Sequence, residues 1–333
     1  MAFPSKDGPN SYIWKLKDVY NARQGDNWPE LILGDIGLFA GGNTPTITNS
    51  IGYIYITSTS NSTDFGDLTE ARTSASAVGN TTRAVWMSGY VGPASTLTMD
   101  YVQIASQGNA ADFGDTTVAR YTGAGAGSQT RGVNAGGYVS PAFQNVIDYI
   151  TIDSLGNATD FGDLTVSRSD VAGLSSPTRA VFAGGSPGVS NVMDYVTIAT
   201  TGNATDFGDL INSIKTGAGA ASSTRGLFAG GGTGTYPADD PTNVIQYITI
   251  ASTGNATDFG DLTLARVGLG GCSNNSRAVF EGGSTSPSQD SRNTNNTIDY
   301  VTIATTGNAT DFGDLETALR SAAATSNSHG GLQ

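Results

Sequence analysis

Six pairs of aspartates, each pair three residues apart, are the first candidates for chemistry: Asp64/Asp67, Asp112/Asp115, Asp160/Asp163, Asp206/Asp209, Asp258/Asp261 and Asp311/Asp314. Two carboxylates at that spacing offer the oxygen ligands that Ca²⁺ takes. The glycine between them gives a second reading, in which Asp and Gly set a turn or bulge through side-chain-to-backbone hydrogen bonds. Recurrence favours the second, because catalytic residues are seldom needed in every copy of a repeat. No catalytic residue, metal site or cofactor is assigned, and the chain is expected not to be an enzyme.

Basic residues recur as well. Arg72, Arg120, Arg168, Lys215, Arg266 and Arg320 follow the aspartates at a nearly constant distance. A ring of cations could hold an anionic ligand such as an acidic sugar, or each could pair with a motif aspartate and tie its loop down. Arg83, Arg131, Arg179, Arg225 and Arg277 form a second series with the same two readings, broken at Ile36. His329 is the single histidine and Cys272 the single cysteine, too few for a Zn²⁺ site or a disulfide framework. No glycine-rich phosphate loop with its lysine and helix is present.

These residues belong to a repeat. Thr-Asp-Phe-Gly-Asp-Leu stands unchanged at 63–68, 159–164, 205–210, 257–262 and 310–315, with an altered copy at 111–116. The phenylalanines Phe65, Phe113, Phe161, Phe207, Phe259 and Phe312 lie 48, 48, 46, 52 and 53 residues apart. A period of this length marks a repeat architecture. Within 168–210, a stretch of small residues, the run Arg179–Gly185, the alternating Val192–Ile198 and the motif itself read as four strands separated by turns. Four strands in just under fifty residues match one blade of a β-propeller. The first strand of each unit holds mostly Gly, Ala and Ser, as a strand at a crowded axis requires. The first unit opens at Asp35 without that strand, and an extra copy follows the last motif at 319–327. The expectation is an all-β, six-bladed propeller over 31–333, with blade one completed by both termini.

Glycine numbers 45, and charged residues are only 14%, but the apolar residues fall in short periodic blocks that disordered chains lack. The net charge of −13 argues against nucleic acid and anionic membranes as partners. The single cysteine makes a reducing cytoplasm the expected place of synthesis. The start of the chain lacks the apolar core of a secretory signal, so the Asn-Ala-Thr triplets are expected to be repeat chemistry rather than glycosylation sites. Residues 1–30 stand outside the repeat. Helical spacing of Ile13, Leu16, Val19 and Tyr20 predicts a short helix over 12–24. Such a helix must dock on something to persist, and Trp14, Leu16, Val19, Tyr20 and Trp28 are its candidate docking residues.

Between the second glycine of each Gly-Gly (or Ser88-Gly89) and the next tyrosine, the loops run 10, 11, 11, 9, 15 and 16 residues. Binding residues concentrate on loops held by a rigid scaffold. The two long loops nominate Tyr236, Asp239, Asp240, Asp290, Arg292 and Asn293 for contact with a glycan or a protein. The alternative is that these insertions have no ligand.

The order of features resembles the kelch repeat. The paired glycines at 41–42, 136–137, 184–185, 230–231 and 282–283 look like its double glycine, and Tyr53, Tyr101, Tyr149, Tyr195, Tyr247 and Tyr300 look like its tyrosine. The motif phenylalanines stand where that repeat usually has tryptophan. The Asp-x-Gly core is also similar to the Asp-box of sialidase propellers, without its tryptophan. Near-identical Gly-Asn-Ala-Thr-Asp-Phe-Gly-Asp-Leu units, with the leader Tyr12–Tyr20 and Asn27-Trp28-Pro29, resemble virion proteins of tailed phages, especially those of cyanobacteria and marine bacteria. That resemblance implies a non-enzymatic particle component, such as a tail fibre or surface appendage. Its 1–30 arm would dock on other virion proteins, and its loops would meet a host surface glycan or protein. It further implies a homo-oligomer in the particle. A head-decoration or neck protein, and a glycan-processing propeller enzyme, are the alternatives.

Overall fold

The computed structural model describes residues 34–235, 239–286 and 293–332. Over these the chain forms six four-stranded antiparallel sheets arranged as a ring, a β-propeller. In blade three the strands run from the axis outward as Ala124–Gly127, Arg131–Ala135, Val146–Thr151 and Thr159–Asp163. The other blades repeat this order. The expected helical arm, with Trp14, Leu16, Val19, Tyr20 and Trp28, lies outside the described residues.

Both termini build blade one. Its innermost strand, Ala323–Ser326, pairs antiparallel with Ile36–Ala40, and the partners run from Gly37↔Ser326 to Ala40↔Ala323. The six innermost strands touch one another in sequence around the axis. Closure of this kind completes blade one and leaves each blade only a short outer edge strand. Small residues make it possible. A Cβ on Gly173 would lie 2.6 Å from the carbonyl oxygen of Gly125 in the preceding blade, and one on Gly271 would lie 2.7 Å from that of Gly219.

Bulky residues fill the wedges between blades. Six apolar clusters each join two neighbouring blades; the one between blades three and four contains Val133, Ile147, Phe161, Leu164, Phe182 and Val196. Each motif phenylalanine meets its blade's tyrosine edge to face, with ring centroids 5.9–6.0 Å apart, from Tyr53–Phe65 to Tyr300–Phe312. The phenylalanine reaches the wedge through a β-bulge. In blade three Asp160 opposes Asp148 and Gly162 opposes Ile147, so Phe161 between them has no partner and turns inward. The same register shift recurs in all six blades.

Candidate functional site

The motif aspartates work through their backbones. At the junction of blades three and four, Gly202 N–H donates to Phe161 O (2.8 Å), Ala204 N–H to Asp163 O (2.7 Å), and Asp163 N–H to Asn203 Oδ1 (3.1 Å). Gly162 has φ +144°, and a Cβ there would lie 2.5 Å from Gly202 O. The unit Gly-Asn-Ala-Thr-Asp-Phe-Gly-Asp is therefore a clasp: its Gly-Asn-Ala turn grips the Phe-Gly-Asp of the preceding blade. Asn61 and Ser62 make the closing clasp onto Asp314 of blade six. The first aspartate of each pair is exposed. Among the described residues no three His, Cys, Asp or Glu side chains come together as a metal site would require.

The buried arginines correct the sequence reading in partner and in register. Arg72, Arg120, Arg168 and Arg266 are fully buried, and each pairs with the aspartate just before its blade's tyrosine, not with a motif aspartate. Arg168 Nη2 lies 2.8 Å from Asp194 Oδ2 and also donates to Phe182 O; Nη1 donates to Gly184 O and Val192 O. The other oxygen of Asp194 accepts from the Thr165 hydroxyl at 2.5 Å. Asp148 and Asp299 repeat the arrangement with Thr117 and Thr263, and Asp100 with Thr69. Burial lowers the pKa of Arg120, Arg168 and Arg266 from the ordinary value, and the attached carboxylates oppose the shift. Backbone equivalence places Ile214 and Leu319, not Lys215 and Arg320, at this arginine position. Gly185 N–H donates to Ile214 O and Gly283 N–H to Leu319 O, as Gly137 N–H does to Arg168 O. Those two blades also lack the aspartate, having Gln246 and Gly52. Gln246 Oε1 accepts from the backbones of Ile211 and Asn212 instead. Acid and base thus appear together or not at all, because either one buried alone would be an uncompensated charge.

The second arginine series straps blades together. Arg179 lies over Tyr195 with its guanidinium 4.6 Å from the ring centroid, and its Nη1 donates to Ile250 O and Ala251 O of the next blade. Arg83, Arg131, Arg225 and Arg277 do the same with the carbonyls of Ile152, Ile198, Ile303 and Ile56. Neither series is free to hold an anion.

The long-loop candidates divide. Tyr236, Asp290 and Arg292 lie outside the described residues. Asp240 and Asn293 are exposed. Asp239 is completely buried and ion-paired with Lys215 Nζ at 2.7 Å, so it anchors its loop instead of facing a ligand.

The two faces of the ring differ. On one lie the variable loops and the crossovers between blades, joined by bridges such as Tyr121↔Tyr138 and Ser169↔Ser186. There six residues close a cyclic chain of backbone hydrogen bonds around the axis: Thr122 N–H to Ser74 O, Asp170 to Thr122, Thr216 to Asp170, Gly268 to Thr216, Ser321 to Gly268 and Ser74 to Ser321, all 2.7–2.9 Å. On the other face the C-terminal turn enters the channel. Gly331 N–H donates to His329 Nδ1 (3.1 Å), which leaves the proton on Nε2 to donate to Gly79 O (2.9 Å). Burial lowers the pKa of this histidine, against the hydrogen bond to Gly79 O. The cavity left along the axis is about 50 Å³, room for a few waters.

Two groups escaped the sequence reading. Glu281 is buried beside Gly270 and Cys272, with no hydrogen-bond partner on either oxygen among the described residues. Tyr90, Tyr121, Tyr138 and Phe143 form a half-buried aromatic row on the loop face. Setting the six units side by side at the residues after the arginine and after the paired glycine would have exposed the tyrosines; the aspartate repeat gives no hint of them.

No protein-family model matches the chain, and no curated protein matches it.

Proposed function

We propose that the protein is a non-enzymatic structural component of a tailed-phage particle, a tail-fibre or surface-appendage part. Residues 1–30 dock it to the particle, and its kelch-like propeller presents the loop face to the host surface. The observation that supports this most is the asymmetry of the ring. Repeated clasps and straps make a rigid scaffold, one face is filled by the chain's own C-terminal turn, and all the loops of variable length gather on the other. A scaffold that displays variable loops from one face suits recognition. The repeat and the leader supply the resemblance to phage virion proteins. The acidic surface suits a soluble appendage and does not suit nucleic acid.

The reading is tested by mass spectrometry of purified particles of the encoding phage, made with the full chain or with residues 1–30 deleted. Peptides of the full chain are expected in the particles and peptides of the deleted form are not. Absence of the full chain would refute the particle assignment. Incorporation of the deleted form would refute the docking role of the arm.

A further inference from the structure

The aromatic row on the loop face occupies positions that the fold does not require to be aromatic. Tyr121 and Tyr138 face each other across a bridge that every blade possesses. The corresponding pairs are Thr73 with Tyr90, Ser169 with Ser186, Lys215 with Gly232, Val267 with Ser284 and Arg320 with Asn43. Four blades therefore build the same bridge with no ring at all. In blades two and three the rings join: Tyr90–Tyr121 at 5.4 Å, Tyr121–Tyr138 at 5.6 Å and Tyr138–Phe143 at 5.1 Å between centroids. None is fully covered. The Tyr121 hydroxyl lies close enough to Asp170, Tyr90 and Tyr138 for their charges to raise its pKa, after burial as the larger cause. Asp170 is largely covered and is held in place by the Ser169 hydroxyl at 2.7 Å and by Ser186; burial raises its pKa, against these hydrogen bonds and Lys215.

The surroundings select the ligand. The loops 88–98, 136–146 and 184–192 contain Ser, Thr, Asn and Gln but no Lys or Arg. Arg72, Arg120 and Arg168, the cations of these three blades nearest the crossovers, are buried against their aspartates. Lys215, whose charge reaches Asp170, is likewise buried and paired with Asp239, so no cation here is left to neutralise a phosphate backbone or a uronic acid, and a protein of charge −13 repels both. Single-stranded nucleic acid also stacks on aromatic rings, but it requires a basic groove beside them. Tyrosine supplies a rigid, amphipathic contact surface, and short amide and hydroxyl side chains supply adaptable hydrogen bonds. That combination matches the apolar C–H faces and the hydroxyl rim of a neutral pyranose chain.

We infer that the Tyr90–Tyr121–Tyr138–Phe143 row, with Asp170 beside it, is a binding platform for a neutral oligosaccharide. This deepens the host-surface reading above and moves the contact from the long loops of blades five and six to blades two to four. The rings stack on sugar faces, and Asp170 accepts hydrogen bonds from sugar hydroxyls.

The test is saturation-transfer NMR on the full chain. The neutral probes are hexasaccharides of glucose, mannose, galactose and N-acetylglucosamine, and hexagalacturonate and a single-stranded DNA dodecamer are the anionic ones. Transfer to the ring C–H protons of at least one neutral hexasaccharide is expected, with none to the two anions. The double variant Tyr121→Ser/Tyr138→Ser copies the Ser169–Ser186 pair that blade four already accommodates, so it should fold. It should weaken binding by about tenfold or more, as loss of central aromatic contacts does. The inference is overturned by no transfer to any neutral probe, by transfer only to an anion, or by unchanged affinity in the double variant. None of these results bears on whether the chain is found in particles, so failure here is distinguishable from failure of the particle assignment.

Discussion

Glu281 makes blade six depend on pH in a way its neighbours do not. It ends the second strand, opposite Gly270 on the innermost strand. Blades three, four and five place Ala124–Ala135, Ala172–Ala183 and Ala218–Ala229 at this pair. A Cβ on Gly270 would overlap the Glu281 carboxylate, so the glycine makes the room that the longer side chain fills. Burial pushes the Glu281 carboxyl from 4.5 up to about 8, against the attraction of Arg266. Between those two values the folded protein holds a proton that the unfolded chain has lost. Stability therefore falls as pH rises, by about 1.4 kcal/mol per pH unit in mid-window and on the order of 5 kcal/mol across it, then levels off above pH 8. The double variant Gly270→Ala/Glu281→Ala rebuilds the alanine pair and removes the titration. Its unfolding free energy relative to the parent, from urea melts at pH 5, 6, 7 and 8, should rise steadily with pH. Asp170 and His329 titrate alike in both proteins and cancel in that difference. Each single variant should be less stable than the double, one through overlap and the other through a hole. A difference that stays constant from pH 5 to pH 8 would refute the reasoning.

The buried ion pairs give a second test. Arg168→Ile alone strands Asp194 and should cost about 3–5 kcal/mol; adding Asp194→Gln, to copy Ile214 and Gln246 of blade five, should recover most of it in urea melts. At the clasps, Gly162→Ala sets a Cβ against Gly202 O at a positive φ and should cost about 2–4 kcal/mol, whereas Asn203→Ala, which loses one backbone hydrogen bond, should cost about 1 kcal/mol. Cys272 is buried and burial pushes its thiol well up, so a disulfide reagent should titrate no thiol in the folded protein and one after unfolding. Rapid modification under native conditions would contradict the buried placement.

Much of the ring was legible because its demands repeat. The period counted the blades. The surplus small-residue segment at 319–327 announced closure by both termini, and the structure places Ala323–Ser326 there. The Asp-Phe-Gly-Asp core announced a turn or bulge held by aspartate side chains, and the structure has a bulge whose aspartates bond through their backbones. What the bulge serves was hidden, because the clasp joins residues about forty positions apart, Asp163 to Asn203, in different blades. The arginine partner was not legible for a related reason. Charge alone points to Lys215 and Arg320, whereas the backbone aligns Ile214 and Leu319, and the paired acid sits on the third strand. Tyr121, Tyr138 and Glu281 stayed invisible because each departs from its repeat, and a reading built on what recurs passes over what does not. The departures are nevertheless where a repeated scaffold acquires local chemistry.

The central claim is that this propeller stands on a particle with its loops toward the host. Gold-labelled antibody raised against the propeller, applied to intact purified particles, tests it most directly. Label at the tail or at fibre tips is the predicted result. Label confined to the head or neck, or none on particles in which the chain's peptides are found, would contradict it.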